Sequence, residues 1–337
     1  MPDLNALLRW RLRRMLVALS DRSAEALQTL GLLPALAVTL KRLVWAPAEV
    51  RAELQRNGVN VVPANFYSNI PSIDEVRGSF EYTSQQPPYL DSRIFDDDRM
   101  LRILADLAPF AAEFNPPKDG DENAPDGFFW KNSQFSHSDA MSCYAMVRHL
   151  RPRRIVEVGS GFSTLVASAA LAKNGSGEIV CIEPYPRPFL ADVPGVTELI
   201  RQPVQQLPAE YFESMLGDGD VLFIDSTHTV KTGSDCLHLY LRVLPALRNR
   251  IIVHVHDVFL PDAMPQEWAL EKQIYWTEQY LLLAYLLDNP RVTVWFGSHY
   301  HLRRHPEKLA DFMRGMAGTG GGSFWFELAP RPSMPAG

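Results

Sequence analysis

Residues 153–164, RRIVEVGSGFST, constrain the fold more than any other stretch of the chain. An apolar run containing Ile155, Val156 and Val158 ends on Gly159 and Gly161, then passes directly into the small-residue, helix-forming STLVASAALAKNG. A strand that turns into a helix this tightly needs a parallel neighbour to return to, and EIVCIEP supplies one. VTELI, DVLFIDSTH and RIIVHVHDV continue the series, with the helical TGSDCLHLYLRVLPALRN between the last two. The pattern is alternating α/β. RVTVWFG and SFWFEL break it, because only a basic segment and GMAGTGGGS separate them and no long helix is expected there. Two strands without a crossover helix predict an antiparallel pair at a sheet edge.

The 337 residues, 46% of them apolar, suffice for a large core, and the net charge of -6 gives no electrostatic footprint for nucleic acid. Cys143, Cys181 and Cys236 are far apart and form no CxxC, so they read as reduced core thiols of a cytoplasmic protein. Residues 1–60 read as an N-terminal helical extension, 61–134 as an irregular and helical cap, and 135–330 as the α/β domain. Near the N-terminus, Arg9, Arg11, Arg13 and Arg14 alternate with apolar residues. Asp21 and Arg22 interrupt that run too early for a signal peptide, and Pro34 interrupts the next apolar stretch, so no spanning helix is predicted. A basic helix lying on a membrane is a sharper alternative to plain packing.

Gly159 and Gly161 let a ligand approach the backbone where strand becomes helix. A nicotinamide dinucleotide calls for a third glycine, but the third position is Thr164. Glu157, two residues before the turn, would repel a pyrophosphate and suits a cation such as the ammonium of a methionyl group. The electrostatics favour S-adenosylmethionine. Ser160 and Phe162 line the turn by position, while Ser163 and Thr164 are placed to cap the helix. Glu183, followed by Pro184, ends the second strand where a carboxylate can accept from both ribose hydroxyls. After the third strand, Gln202 and Gln205 offer amides to an adenine, and Val204 or Phe223 an apolar face.

With NFYSNIPS, FSHSDAMSCYAMVRHLRPRRIVEVGSGFST, IEPYP, LFIDSTH and VHVHDVFLPDAMPQEWALE, the chain resembles the class I S-adenosylmethionine-dependent methyltransferases from about Phe66 to Phe296. Within them it is similar to the bacterial group related to the methyltransferase domain 24 family. The resemblance implies a Rossmann-like seven-stranded sheet, mostly parallel with an antiparallel last strand. It also implies cofactor over the first two strand ends and acceptor over the fourth and fifth.

Transfer of a methyl group from a sulfonium is an in-line displacement, so the protein must mainly position and deprotonate a nucleophile. Asp225 and His228 follow the fourth strand, and His254, His256 and Asp257 follow or end the fifth. Two arrangements are open: His228 as general base oriented by Asp225, with His256 beside it, or Asp225 and Asp257 with a histidine holding a divalent ion, magnesium being the optional one. The resemblance to catechol O-methyltransferase implies an Asp-Asn or Asp-Asp pair at the fifth strand, but Val258 follows Asp257 here and removes a hard ligand. His254 reads as a core or supporting histidine. Trp268, Tyr275, Trp276 and Tyr280 lie near the presumed mouth, although Tyr280 also fits helical core spacing; Asp139 and Tyr67 are candidates to close over the cofactor. The expected activity is O-methylation of a hydroxyl on a sugar, glycolipid or secondary metabolite, in a chain able to form homo-oligomers. An NAD-linked oxidoreductase or epimerase and a non-catalytic cofactor-binding partner protein are the alternatives.

Overall fold

The computed structural model describes residues 28, 29 and 31–331, which leaves the Arg9–Arg14 segment, and the membrane contact expected of it, outside the described residues. The chain divides into two compact units, Met1–Ser72 and Ile73–Gly337. In the first, helix α1 (Leu33–Val44) and helix α2 (Ala48–Arg56) bury no side chain. Among the described residues no helix is long and apolar enough to cross a membrane.

The second unit is built on a seven-stranded sheet of order β3-β2-β1-β4-β5-β7-β6. Its strands are β1 (Arg154–Val158), β2 (Glu178–Ile182), β3 (Val196–Ile200), β4 (Val221–Ile224), β5 (Ile251–Val255), β6 (Val292–Gly297) and β7 (Phe324–Leu328). β1 to β5 pair in parallel, and β7 runs antiparallel to both β5 and β6. The expected antiparallel edge pair is present, with β7 slotted inside and β6 at the edge. The segment between them holds two short helices, Ser298–Arg304 and Pro306–Met313, and no long one. Pro306 starts the second of these at a first-turn position, where its missing N–H costs nothing.

Alternation along the strands assigns the two faces. Val156, Val158, Leu222, Ile224, Val253 and Val255 join one core, while Ile155, Ile179, Phe223 and Trp325 join the other. The second face is covered by helix α3 (Asp97–Ala111), helix α4 (His137–Leu150) and helix α5 (Phe162–Asn174). α4 is buried on every side from Ser138 through Val147, and three of those buried residues, Ser138, Asp139 and Ser142, are polar or charged. Register aligns one row across this face: Cys181, Glu157, Phe223, His254 and Trp325. Two polar side chains therefore sit inside it. His254 stacks on Trp325 with ring centroids 3.8 Å apart and bonds Ser323 Oγ through Nε2 at 2.7 Å, a core histidine whose pKa burial and the charge of His256 hold well below the usual range. Cys143, Cys181 and Cys236 are all free and buried.

Candidate active site

The parallel strands stop in step, each handing its next amide to a neighbour's last carbonyl. Gly159 N donates to Ile182 O at 3.1 Å, Asp225 N to Val158 O at 2.8 Å, and His256 N to Ile224 O at 3.0 Å. This brings Gly159, Asp225 and His256 to one carboxyl edge, over which a cleft of about 350 Å3 opens. Gly159 Cα faces the carbonyl of Asp225 so closely that a Cβ there would lie 1.9 Å from its oxygen, and the residue sits at φ +78°. Only glycine fits. Gly161 N donates to Thr164 Oγ1 at 3.0 Å, so Thr164 satisfies the first turn of α5, as capping predicts.

Glu183 lines the cleft with its carboxylate held in place by two backbone donors, Tyr185 N at 2.8 Å and Ser160 N at 3.3 Å. Arg187, over the ring of Phe162 at 5.4 Å, forms part of the same wall. Glu157 does not line it. Its side chain is 2% exposed, accepts from the hydroxyls of Thr164 and Ser163, and lies 3.8 Å from Cys181 Sγ. Burial pushes its carboxyl up to about 7, against those hydrogen bonds.

At the other end of the cleft, two imidazoles and four carboxylates alternate. His228 Nε2 lies 3.2 Å from Asp225 Oδ1 and 3.6 Å from Asp257 Oδ2, while Nδ1 bonds Glu278 Oε2 at 2.8 Å. His256 Nδ1 lies 3.3 Å from the same Asp225 oxygen and 3.7 Å from that of Asp257, while Nε2 bonds Asp139 Oδ2 at 3.1 Å. Burial works against charge on His228, but its bonds to Asp225 and Glu278 raise it to about 10, and His256 is raised by Asp257, Asp225 and Asp139 despite burial. Asp225 is lowered in return, against burial, by the charges of His256 and His228 and by hydrogen bonds from both. Asp257 is raised by burial and by the charge of Asp225, which outweigh its histidine neighbours. His228 and Asp257 both take φ +57°, a strained setting for non-glycine residues that the surrounding bonds must hold. Thr277 N and Glu278 N both donate to His228 O, at 2.8 and 3.1 Å, and Asp235 binds both the amide and hydroxyl of Thr227 at 2.8 Å.

The family model described as a methyltransferase domain matches residues 156–258, the stretch from β1 through β5 that carries both ends of this cleft. An uncharacterized protein of Archaeoglobus fulgidus is 34% identical over 165 residues, covering 45% of this chain and 72% of the relative. The chain belongs to the methyltransferase-domain family. The chain is also similar to an O-methyltransferase of Bacillus cereus solved with SAH, at 15% identity and TM-score 0.35, covering 70% of this chain and 92% of that one. Cofactor-bound Rv0187 from MTB is 16% identical at TM-score 0.35, covering 72% and 97%. A methyltransferase domain needs an activated methyl donor, and S-adenosylmethionine, expected from the glycine turn, carries its methyl group on a sulfonium. The cradle fits that cofactor: Gly159 opens the backbone to it, and Glu183 presents a fixed carboxylate to hydroxyl donors.

Of the residues expected at the site, Gly159, Ser160, Gly161, Phe162, Ser163, Glu183, Asp225, His228, His256 and Asp257 share this one cleft. Pro184, Gln202, Val204 and Gln205 are not on its wall, and Val204 packs into the core because a tight turn at Val204–Gln206 points it inward. Glu157 is displaced from the wall because alternation along β1 turns it toward α5. Asp139 does not close over the cofactor; it is buried under His256 and also accepts from Ser298 Oγ, Ser323 N and Gly322 N. Tyr67 belongs to the first unit and is 84% exposed. Trp276 lines the cleft 4.3 Å from the ring of His228, with Trp268 edge-on behind it, while Tyr280 packs on Tyr89. Sequence reasoning missed Glu278 and the glycines at 320–322. Gly321 lies at φ +121° against Asp139, where a Cβ would come within 2.3 Å, and a Cβ on Gly322 would lie 2.7 Å from Asp257 Cα.

Proposed function

We propose that this methyltransferase acts on a hydroxyl oxygen of a small acceptor, of the sugar, glycolipid or secondary-metabolite class. The observation that carries the reading is the continuity of the cleft, from the glycine turn and Glu183 to the carboxylates of Asp225 and Asp257. An acceptor seated beside Trp276 has a flat apolar face under it and charged acceptor oxygens ahead of it, which suits a ring bearing a hydroxyl. In-line transfer forms the new O–C bond as the S–C bond breaks, and the hydroxyl proton must leave to a basic group.

Both ring nitrogens of His228 face carboxylates, which holds it charged in the free protein, so it cannot take that proton unless its own is displaced. This revises the simple general-base role. Asp257, at the cleft edge and made more basic by burial, is the proton acceptor that the free chain offers, with His228, Asp225 and His256 fixing its surroundings. The test is a labelled-methyl transfer screen over hydroxylated acceptors, with SAH binding followed by calorimetry. Asp225→Asn and Asp257→Asn should each lower turnover by about 100-fold or more while SAH still binds. Transfer to a nitrogen or carbon acceptor, with no hydroxyl substrate found, would overturn the reading.

A further inference from the structure

Soluble surfaces rarely gather large apolar side chains in one place. Among the described residues, twelve of the seventeen such side chains that stand exposed lie in the first unit, and six of them fall between Leu32 and Trp45. α1 carries most of these six. By helical period, Leu33, Leu36, Leu40, Leu43 and Val44 share one side of it, while Arg42 stands opposite with Thr39 and Lys41 on the flanks. Leu33, Leu36 and Leu40 are exposed along that stripe, and Leu43 and Val44 are half-buried. Trp45 follows at the C-terminal end, 80% exposed. We infer that α1 and Trp45 form a docking surface for an anionic lipid bilayer.

Length decides how the helix meets a bilayer. Its 12 residues span about 18 Å, short of the roughly 30 Å hydrocarbon core, so α1 lies along the surface and does not cross. In that position the leucine stripe enters the acyl boundary, the stems of Lys41 and Arg42 carry their charges back toward the headgroups, and the Trp45 indole sits between the two. Charge selects the lipid. The first 45 residues hold seven basic and three acidic side chains in a chain of net charge -6, so this end is positive against the trend of the whole. Arg9, Arg11, Arg13 and Arg14 contribute to that excess by sequence alone. Anionic headgroups attract such a segment. A second copy pairing through the same helix would instead bring Lys41 and Arg42 against their own equivalents.

Docking does not depend on which acceptor is methylated, and its readout needs no turnover. Full-length protein is mixed with vesicles of phosphatidylcholine, alone or with an equal share of phosphatidylglycerol, and bound protein is separated by flotation. Affinity for the anionic vesicles should exceed that for the neutral ones by about 10-fold or more and fall as salt is raised. Leu36→Asp combined with Leu40→Asp should weaken anionic-vesicle binding by about 10-fold or more, and Lys41→Gln combined with Arg42→Gln by about 10-fold. Because all four side chains are exposed, both double variants should keep the parent's melting temperature and its SAH affinity. Should either misfold, the lipid and salt dependence of the parent protein decides the matter. No binding to anionic vesicles, equal binding to neutral ones, or full binding by the folded Leu36→Asp, Leu40→Asp variant would each overturn the surface. A parent that is dimeric in sedimentation and becomes monomeric in that variant would also overturn it, by assigning the stripe to a second copy.

Discussion

Two glycine segments brace the cleft, and they work on different partners. The turn at Gly159–Gly161 follows β1 and meets the backbone of Asp225, whereas Gly320–Gly322 precedes β7 and meets Asp139 and the backbone of Asp257. Gly322 O also accepts from Val258 N at 2.8 Å, and Gly320 O from Ser138 N at 3.1 Å, so the second segment ties α4 to the end of β5. The first brace makes room for a ligand; the second makes room for the acids that orient the chemistry. Disturbing the first should therefore show in cofactor affinity, and disturbing the second in turnover.

The largest effect is expected from Gly159→Ala. A side chain 1.9 Å from the Asp225 carbonyl, at φ +78°, forces β1 and β4 apart at the cleft floor. Calorimetry should find no saturable SAH binding, with a clear drop in melting temperature. Gly321→Ala, whose Cβ would collide with Asp139 at φ +121°, should instead lower kcat by about 10–100-fold through a misplaced His256, leaving SAH affinity within about threefold. If the two variants lose cofactor binding equally, the division of labour between the braces is wrong. Glu183→Ala sharpens it further, because losing a charged acceptor should weaken SAH by about 10–100-fold without a fall in melting temperature of comparable size.

The smallest effect concerns Glu157. Its folded value lies above its ordinary 4.5, at about 7, so its contribution to stability is fully present below pH 4.5 and is lost as pH rises to about 7. Glu157→Gln should leave stability nearly unchanged at pH 5 and raise it relative to the parent at pH 8, read as the difference between two denaturant midpoints. A difference that does not grow with pH would show that the carboxyl is not held neutral.

Much of this was legible from local patterns. Short, mostly apolar runs of four or five residues marked the parallel strands, and the positions just past them named Asp225, His228, His256 and Asp257, because strand ends are where such sheets present side chains. What stayed hidden depends on contacts remote in sequence. Asp139 reaches His256 across 117 residues and Gly322 across 183, and Glu278 reaches His228 across 50. No spacing rule links such positions. Glu157 was misplaced for the opposite reason: its closeness to the turn in sequence suggested closeness to the ligand, while strand alternation sent its side chain under α5. The GMAGTGGGS segment looked like a spacer because its glycines are defined by the acids they meet, not by their neighbours.

The slot that β7 fills has a consequence during biosynthesis. Synthesis delivers β6 before the strand it pairs with, and β5 also waits for β7 on one side. Until β7 emerges from the ribosome, the nascent sheet carries an open apolar edge at β5, where Val253 and Val255 await Phe326 and Phe324. The three-glycine segment precedes β7 immediately, so the acids of the cleft are locked only as the sheet closes. A partly made chain therefore has a cofactor turn without a working acceptor end.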